Sequence, residues 1–208
     1  RQDDLTALAT NPQLVRSLEK NELDEITRVL EAYQEQSLSY AFLCLHDRSG
    51  EPLACTMGGT PFQMEDLKHS SLFVQALASN SPVMSPIYLQ MRLGPGMHVA
   101  TVIRNEKGQT LGILVATLAL AHTLNPIILD TTGLGSTGQA YLIDTSKVML
   151  TPSRFMHHPD PLTHKMDSEG IQAALKGTRG TSVYEGYEGQ KVMGAGEYMP
   201  AQRWALIA

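Results

Sequence analysis

The chain has 208 residues, 42% hydrophobic and 18% charged, enough for one long domain or two small ones with separate cores and too apolar for wholesale disorder. The formal net charge is −5 and no stretch concentrates Lys and Arg, which argues against a nucleic-acid surface and against a basic membrane-surface helix. The longest apolar run, Leu111 to Ala121, is interrupted by Gly112 and Thr117 and is too short to cross a bilayer.

Asn11-Pro12 marks a helix start, an Asn cap followed by Pro at the first helical position. Val15, Leu18, Ile26, Val29, Leu30 and Tyr33 then keep helical spacing, and Leu14 and Leu23 widen the stripe. The pattern predicts one long helix over 13–36, roughly 36 Å at 1.5 Å per residue, long enough to span two stacked modules. Residues 3–9 read as a further helical segment broken at Pro12.

Strand chemistry follows. Tyr40 to Leu45 and Pro52 to Thr56 flank the turn Asp47-Arg-Ser-Gly50. If this hairpin closes through Ser49-Gly50, Cys44 and Cys55, the only cysteines, face each other and a disulfide is geometrically allowed. A one-step change of register separates them. Phe62 to Ser79 reads as a helix, and Val83 to Met91, His98 to Arg104 and Leu111 to Leu118 as strands. Gly94-Pro-Gly96 and Asn105-Glu-Lys-Gly108 read as the turns between them, and 121–128 as a short helix leading out.

After Gly133 the order of elements recurs in shorter form. Ala140 to Asp144 is a predicted strand answered by Val148 to Thr151, and Ser168 to Lys176 a predicted helix. Ser182 to Tyr187, Gln190 to Tyr198 and Trp204 to Ile207 are closing strands, with Glu188-Gly189 as a hairpin turn. The reading is an α+β chain: a long N-terminal helix over 1–38, then antiparallel-sheet modules over 39–128 and 129–208.

Gly133-Leu-Gly-Ser-Thr-Gly138-Gln-Ala-Tyr-Leu-Ile-Asp144 resembles the opening of the membrane-proximal module of double Cache sensors, which are PAS-like. Tyr184-Glu-Gly-Tyr-Glu-Gly189 through Trp204-Ala-Leu-Ile-Ala208 resembles its ending. Tyr40-Ala-Phe-Leu-Cys-Leu-His-Asp-Arg-Ser-Gly50 and Gly108-Gln-Thr-Leu-Gly112 resemble the first and last hairpins of the distal module. The resemblance runs from about Asn11 to the end. It implies the periplasmic or extracellular sensing part of a membrane receptor, most readily a sensor histidine kinase in a two-component system, with a chemoreceptor or diguanylate cyclase as alternatives. It further implies flanking transmembrane helices, a homodimer built through the N-terminal helix, a small-molecule ligand, no cofactor and no catalysis in this segment.

Mapped by order onto such sensors, the distal pocket falls at Phe73, Ser85, Tyr88, His98, Thr101 and Thr117, with Arg92 as a candidate partner for a carboxylate. Apolar walls with a few orienting polar groups suit a ligand pocket. Taken singly, Phe73 and Tyr88 also suit a core, Ser85 and the threonines a solvent-facing strand, His98 a satisfied or exposed histidine, and Arg92 an exposed turn. Amino-acid-binding members carry an Arg and a Trp-Tyr pair where this chain reads Ser79-Asn-Ser-Pro-Val-Met-Ser-Pro-Ile-Tyr-Leu-Gln90. They also carry an Asp where Ala119 or a neighbour stands. These departures disfavour an α-amino acid as ligand.

Two further readings belong to other classes. His157, His158, Asp160 and His164 are metal-ligand types, so a small metal-dependent hydrolase is an alternative. Adjacent histidines point different ways, however, and HExxH is absent. Gly133-Leu-Gly-Ser-Thr-Gly138 superficially matches GxGxxG but precedes a strand, the wrong context for a dinucleotide, and reads as a turn. A cytoplasmic sensor of stacked PAS-like modules is the remaining possibility.

Overall fold

The computed structural model describes residues 2–37, 39–56, 67–90, 93–156 and 161–208. The chain divides into two compact units, Arg1–Pro86 with Gly96–Ala119, and Ile87–Pro95 with Leu120–Ala208.

The first unit opens with three helices, α1 (Gln2–Ala9), α2 (Pro12–Glu19) and α3 (Leu23–Gln36). The Asn11 carboxamide oxygen caps α2, accepting from Gln13 N at 2.8 Å and Leu14 N at 3.2 Å. The single long helix is corrected here, because Asn21 takes a left-handed conformation (φ 56°) and ends α2. The Glu22 amide donates back to the Ser17 carbonyl at 2.9 Å, satisfying a helix-end acceptor. α3 then folds back along α2, where the Gln13 amide meets the Glu25 carboxylate. Leu14, Ile26 and Leu30 are fully buried, as are Leu5 and Leu8 of α1. The Tyr33 hydroxyl donates to the Asp4 carbonyl at 2.5 Å, tying α3 to α1.

The strands are β1 (Tyr40–His46), β2 (Pro52–Cys55), β3 (Val83–Met84), β4 (Tyr88–Gln90), β5 (Gly94–Arg104) and β6 (Thr110–Ala119). The sheet path runs β2-β1-β6-β5-β3. In the β1–β2 hairpin Cys44 stands opposite Cys55, and the two form a disulfide with Cα atoms 4.1 Å apart. Beyond Leu45 the register slips, so that His46 faces Pro52.

Alternation gives this sheet two different faces. Leu43, Leu45, Leu114 and Ala116 lie on the face against α2 and α3. Gly112 belongs there by necessity: a Cβ would stand 2.5 Å from the His46 carbonyl and in contact with Leu18 of α2. The opposite face carries Ala100, Ile113 and Val115, packed with Leu67, Leu72, Phe73 and Ala76. Leu67 lies in a 3-10 turn (Leu67–His69), and the other three in α4 (Ser71–Ala78). Ser70 caps α4 by accepting from Phe73 N at 3.1 Å, so the helix predicted to run on to Ser79 is broken there; its first part, 62–66, lies outside the described residues. Gly94-Pro-Gly96, expected as a turn, opens β5 instead. The predicted strand at 83–91 is split between β3 and β4 around Ser85-Pro86.

The second unit has α5 (Leu120–Thr123), α6 (Asn125–Ile128), β7 (Tyr141–Asp144), α7 (Glu169–Leu175), β8 (Thr181–Glu185), β9 (Lys191–Met199) and β10 (Trp204–Ile207). Its sheet order is β7-β10-β9-β8. The predicted return strand at 148–151 is reduced to isolated bridges, Ile143 to Met149 and Val148 to Lys165. Tyr141, Ile143, Met149, Met166, Ile171, Ala174, Ala205 and Ile207 form the core. Gly196 lets α7 lie close on the sheet, since a Cβ there would stand 2.4 Å from that of Ala174. In both sheets the first strand (β1, β7) pairs with the last (β6, β10), while the opening hairpin expected in both is formed by paired strands only in the first.

The Cys44–Cys55 disulfide closes a short loop, with a sequence separation of 11. Loop-closure entropy predicts that the Cys44→Ala/Cys55→Ala double variant loses roughly 2–3 kcal/mol of unfolding free energy. Urea unfolding with and without reductant measures it, and only the unsubstituted chain is expected to respond to reductant.

Candidate functional site

Three of the predicted residues meet across β3, β5 and β6. His98 on β5 stands opposite Thr117 on β6, and its Nδ1 lies 3.0 Å from the Thr117 hydroxyl. The residue after β3, Ser85, exchanges backbone with the same histidine: its N–H donates to the His98 carbonyl at 2.9 Å. The His98 N–H donates in turn to Ser85 Oγ at 2.9 Å, while the Ser85 hydroxyl donates to the Pro86 carbonyl at 2.8 Å. The kink at Ser85-Pro86 is therefore what turns a strand-edge serine onto the histidine. Phe73 is 5% exposed and lies in the apolar cluster with Ala100 and Val115, the wall of the same sheet face.

One further candidate lies on the other face of the sheet. Thr101 is corrected: it pairs with Leu114 and alternates onto the helix-side face, away from His98 and Thr117. It is buried at 6% exposure. Tyr88 begins β4 in the segment that groups with the second unit, and burial pushes its phenol up to about 12. Arg92 lies outside the described residues, as do His157, His158 and Asp160. His164 uses its backbone carbonyl to accept from Met149 N at 2.9 Å. Among the described residues no group of three His, Cys, Asp or Glu side chains is placed to hold a metal ion.

The sequence reading missed His46. Phe42, Cys44 and His46 on β1 stand opposite Thr117, Val115 and Ile113, which puts His46 on the His98 face. It is 4% exposed; its Nδ1 lies 3.2 Å from the Gly50 carbonyl, and its Nε2 is buried with no hydrogen-bond partner. The alternation along β1 carries that signal, but the predicted strand stops at Leu45 and the predicted turn starts at Asp47, which leaves His46 between them. Burial lowers the His46 pKa. Burial, and then the neighbouring His46, push His98 down to about 4. Both rings are therefore neutral at pH 7, where they can donate and accept hydrogen bonds without bringing charge to an apolar wall.

This arrangement makes the chain acid-sensitive in a defined window. The folded His98 holds its proton less tightly than the unfolded residue (about 4 against 6.5). The unfolded state thus takes up a proton first as pH falls. The stabilisation is complete above pH 6.5 and is lost progressively down to about pH 4. Urea unfolding at pH 4.5 is expected to show a loss on the order of 2 kcal/mol from this group. His98→Gln should flatten that part of the pH profile.

No family model matches the chain, and no curated protein matches it in sequence. Solved structures do match, at identities that speak for the fold. The ligand-binding domain of the Campylobacter jejuni chemoreceptor Tlp3, in complex with 4-methylisoleucine, has a TM-score of 0.71 at 18% identity, covering 99% of this chain and 80% of that one. The extracellular domain of a chain assigned as a histidine kinase, mmHK1S-Z3, has a TM-score of 0.69 at 14% identity, covering 99% and 86%. The ligand-binding domain of the Pseudomonas aeruginosa amino acid chemoreceptor PctC, in complex with GABA, has a TM-score of 0.60 at 20% identity, covering 97% and 95%. The two antiparallel sheets with their helices are thus the double Cache fold of ligand-binding sensory domains.

Proposed function

We propose that this chain is the extracytoplasmic sensing part of a transmembrane signalling receptor, and that its ligand binds on the first unit's sheet face at Ser85, His98 and Thr117. The observation that carries the reading is the contact of the His98 ring with the Thr117 hydroxyl, with Ser85 Oγ held on the His98 backbone N–H, beside an apolar wall, within a fold shared with ligand-binding sensory domains. The Cys44–Cys55 disulfide supports an oxidising compartment. The segment itself performs no catalysis. The receptor is a sensor histidine kinase; the second reading, a chemoreceptor, is supported by the likeness to Tlp3 and PctC.

Phe42, Cys44, His46, His98, Val115 and Thr117, which share one sheet face, carry no fixed charge. A zwitterion entering it would leave charges unpaired. For that reason we propose a small polar ligand that is not an α-amino acid, although amino acids occupy several of the similar domains. Signalling follows if the ligand binds one of two states better and so biases the placement of α3 in a homodimer.

A thermal-shift screen of the chain against small carboxylates, amines, amino acids, purines, sugars and divalent metals tests this. A ligand at a hundredfold excess over its dissociation constant adds about 2.7 kcal/mol to the folded state. The expected result is a hit that His98→Ala or Thr117→Val weakens at least tenfold and His164→Ala leaves unchanged. A response to zinc alone, lost with His164→Ala, would transfer the site to the second unit and revive the metal-hydrolase reading.

A further inference from the structure

The second unit has a cavity of its own, about 300 Å³, lined by Tyr141 of β7, Tyr184 of β8, Ile207 of β10 and loop residues 133, 134 and 137–139. Its volume is at the small end of ligand pockets. Tyr141 and Tyr184 are 5% and 8% exposed, and neither phenol has a hydrogen-bond partner among the described residues. Burial raises the pKa of both, so both hydroxyls stay protonated. Neither oxygen is among the fully enclosed polar atoms that lack a partner, so each hydroxyl keeps some accessible surface and is free to meet a ligand.

The surrounding wall is, by contrast, fully engaged. The Ser153 hydroxyl donates to Gln139 Oε1 at 2.6 Å, and Gln139 Nε2 donates to the Tyr187 hydroxyl at 2.8 Å. Ser153 Oγ and the Tyr187 hydroxyl, 2.9 Å apart, close the triangle. Tyr187 stands edge-on to Tyr141, with centroids 6.1 Å apart. The guanidinium of Arg154 donates to the Gly135 and Gly138 carbonyls at 2.9 and 3.0 Å and so holds the loop. Tyr184 is held in a slot made by two glycines. A Cβ at Gly170 would stand 2.1 Å from its ring, and one at Gly194 would stand 2.2 Å from its hydroxyl. The two unpartnered phenols thus sit in a preformed frame, and no charged side chain lines the cavity among the described residues.

We propose that this cavity is a second ligand site, independent of the first unit's. It takes a small uncharged molecule with a planar ring, stacked among Tyr141, Tyr187 and Phe155 and hydrogen-bonded at its edges by the Tyr141 and Tyr184 hydroxyls. Aromatic walls favour a ring, and the absence of a countercharge excludes an ion.

The test is amide NMR of the ¹⁵N-labelled chain, titrated with uracil and with 4-hydroxybenzamide, and with 4-hydroxybenzoate as the charged counterpart. At least one neutral probe is expected to bind with a dissociation constant on the order of 1 mM or below, shifting the amides of Gly138 and Gly186. Tyr141→Phe/Tyr184→Phe should weaken it at least tenfold, with the single variants standing in if the double variant's spectrum shows unfolding. His98→Ala should leave it unchanged. The site is refuted if neither neutral probe moves those amides at about 10 mM, a concentration that would populate even a weak complex. It is equally refuted if the phenylalanine variants bind as well, which would mean that water alone satisfies the phenols, or if 4-hydroxybenzoate binds as tightly as the amide.

Discussion

The constraint on which the first unit rests is the two-residue period of β1, β6 and β5 in one continuous antiparallel ladder. With the last strand laid between the first and the penultimate, every side chain on these strands is committed to one of two environments. Leu45 and Leu114 go to the helices; Val115, Ala100 and His98 go to the face covered by α4. The polar groups of the site are few because that face must also supply a core. They cluster at one end because β3 is short and ends at Ser85-Pro86, where the Ser85 hydroxyl, not a backbone carbonyl, accepts from the His98 N–H.

Much of this was legible in the sequence. Turn chemistry and alternation located nearly all the strands, and the order of elements was enough to suggest two similar sheets. Where the reading failed, the cause was local and physical. Val15 to Tyr33 looks helical throughout because a three-residue interruption barely disturbs a 3.6-residue period, yet Lys20-Asn21-Glu22 supplies a left-handed Asn that reverses the chain. Gly94-Pro-Gly96 has turn composition, but Gly94 spends its positive φ at the start of β5.

The site was legible only in part, for a related reason. Assigning pocket residues by their order along a strand ignores parity, and parity is what separates Thr101 from His98 and Thr117. His46 is missed for a different reason: the strand read from the sequence ends one residue short of it, whereas β1 runs through His46 and buries it. The phenols of Tyr141 and Tyr184 had no sequence signal at all. That they lack partners follows from the glycines facing them and from a triangle of Gln139, Ser153 and Tyr187, residues up to 48 positions apart.

The β1–β2 hairpin also bears on how the edge of the first sheet is protected. β2 is the edge strand of the first sheet, and an open edge invites strands from other molecules to add to it. Here the edge is only four residues long, begins with Pro52, which offers no N–H, and is stapled to its neighbour through Cys55. Copies of the chain thus meet one another with an edge too short, too irregular and too firmly held to zip onto another sheet.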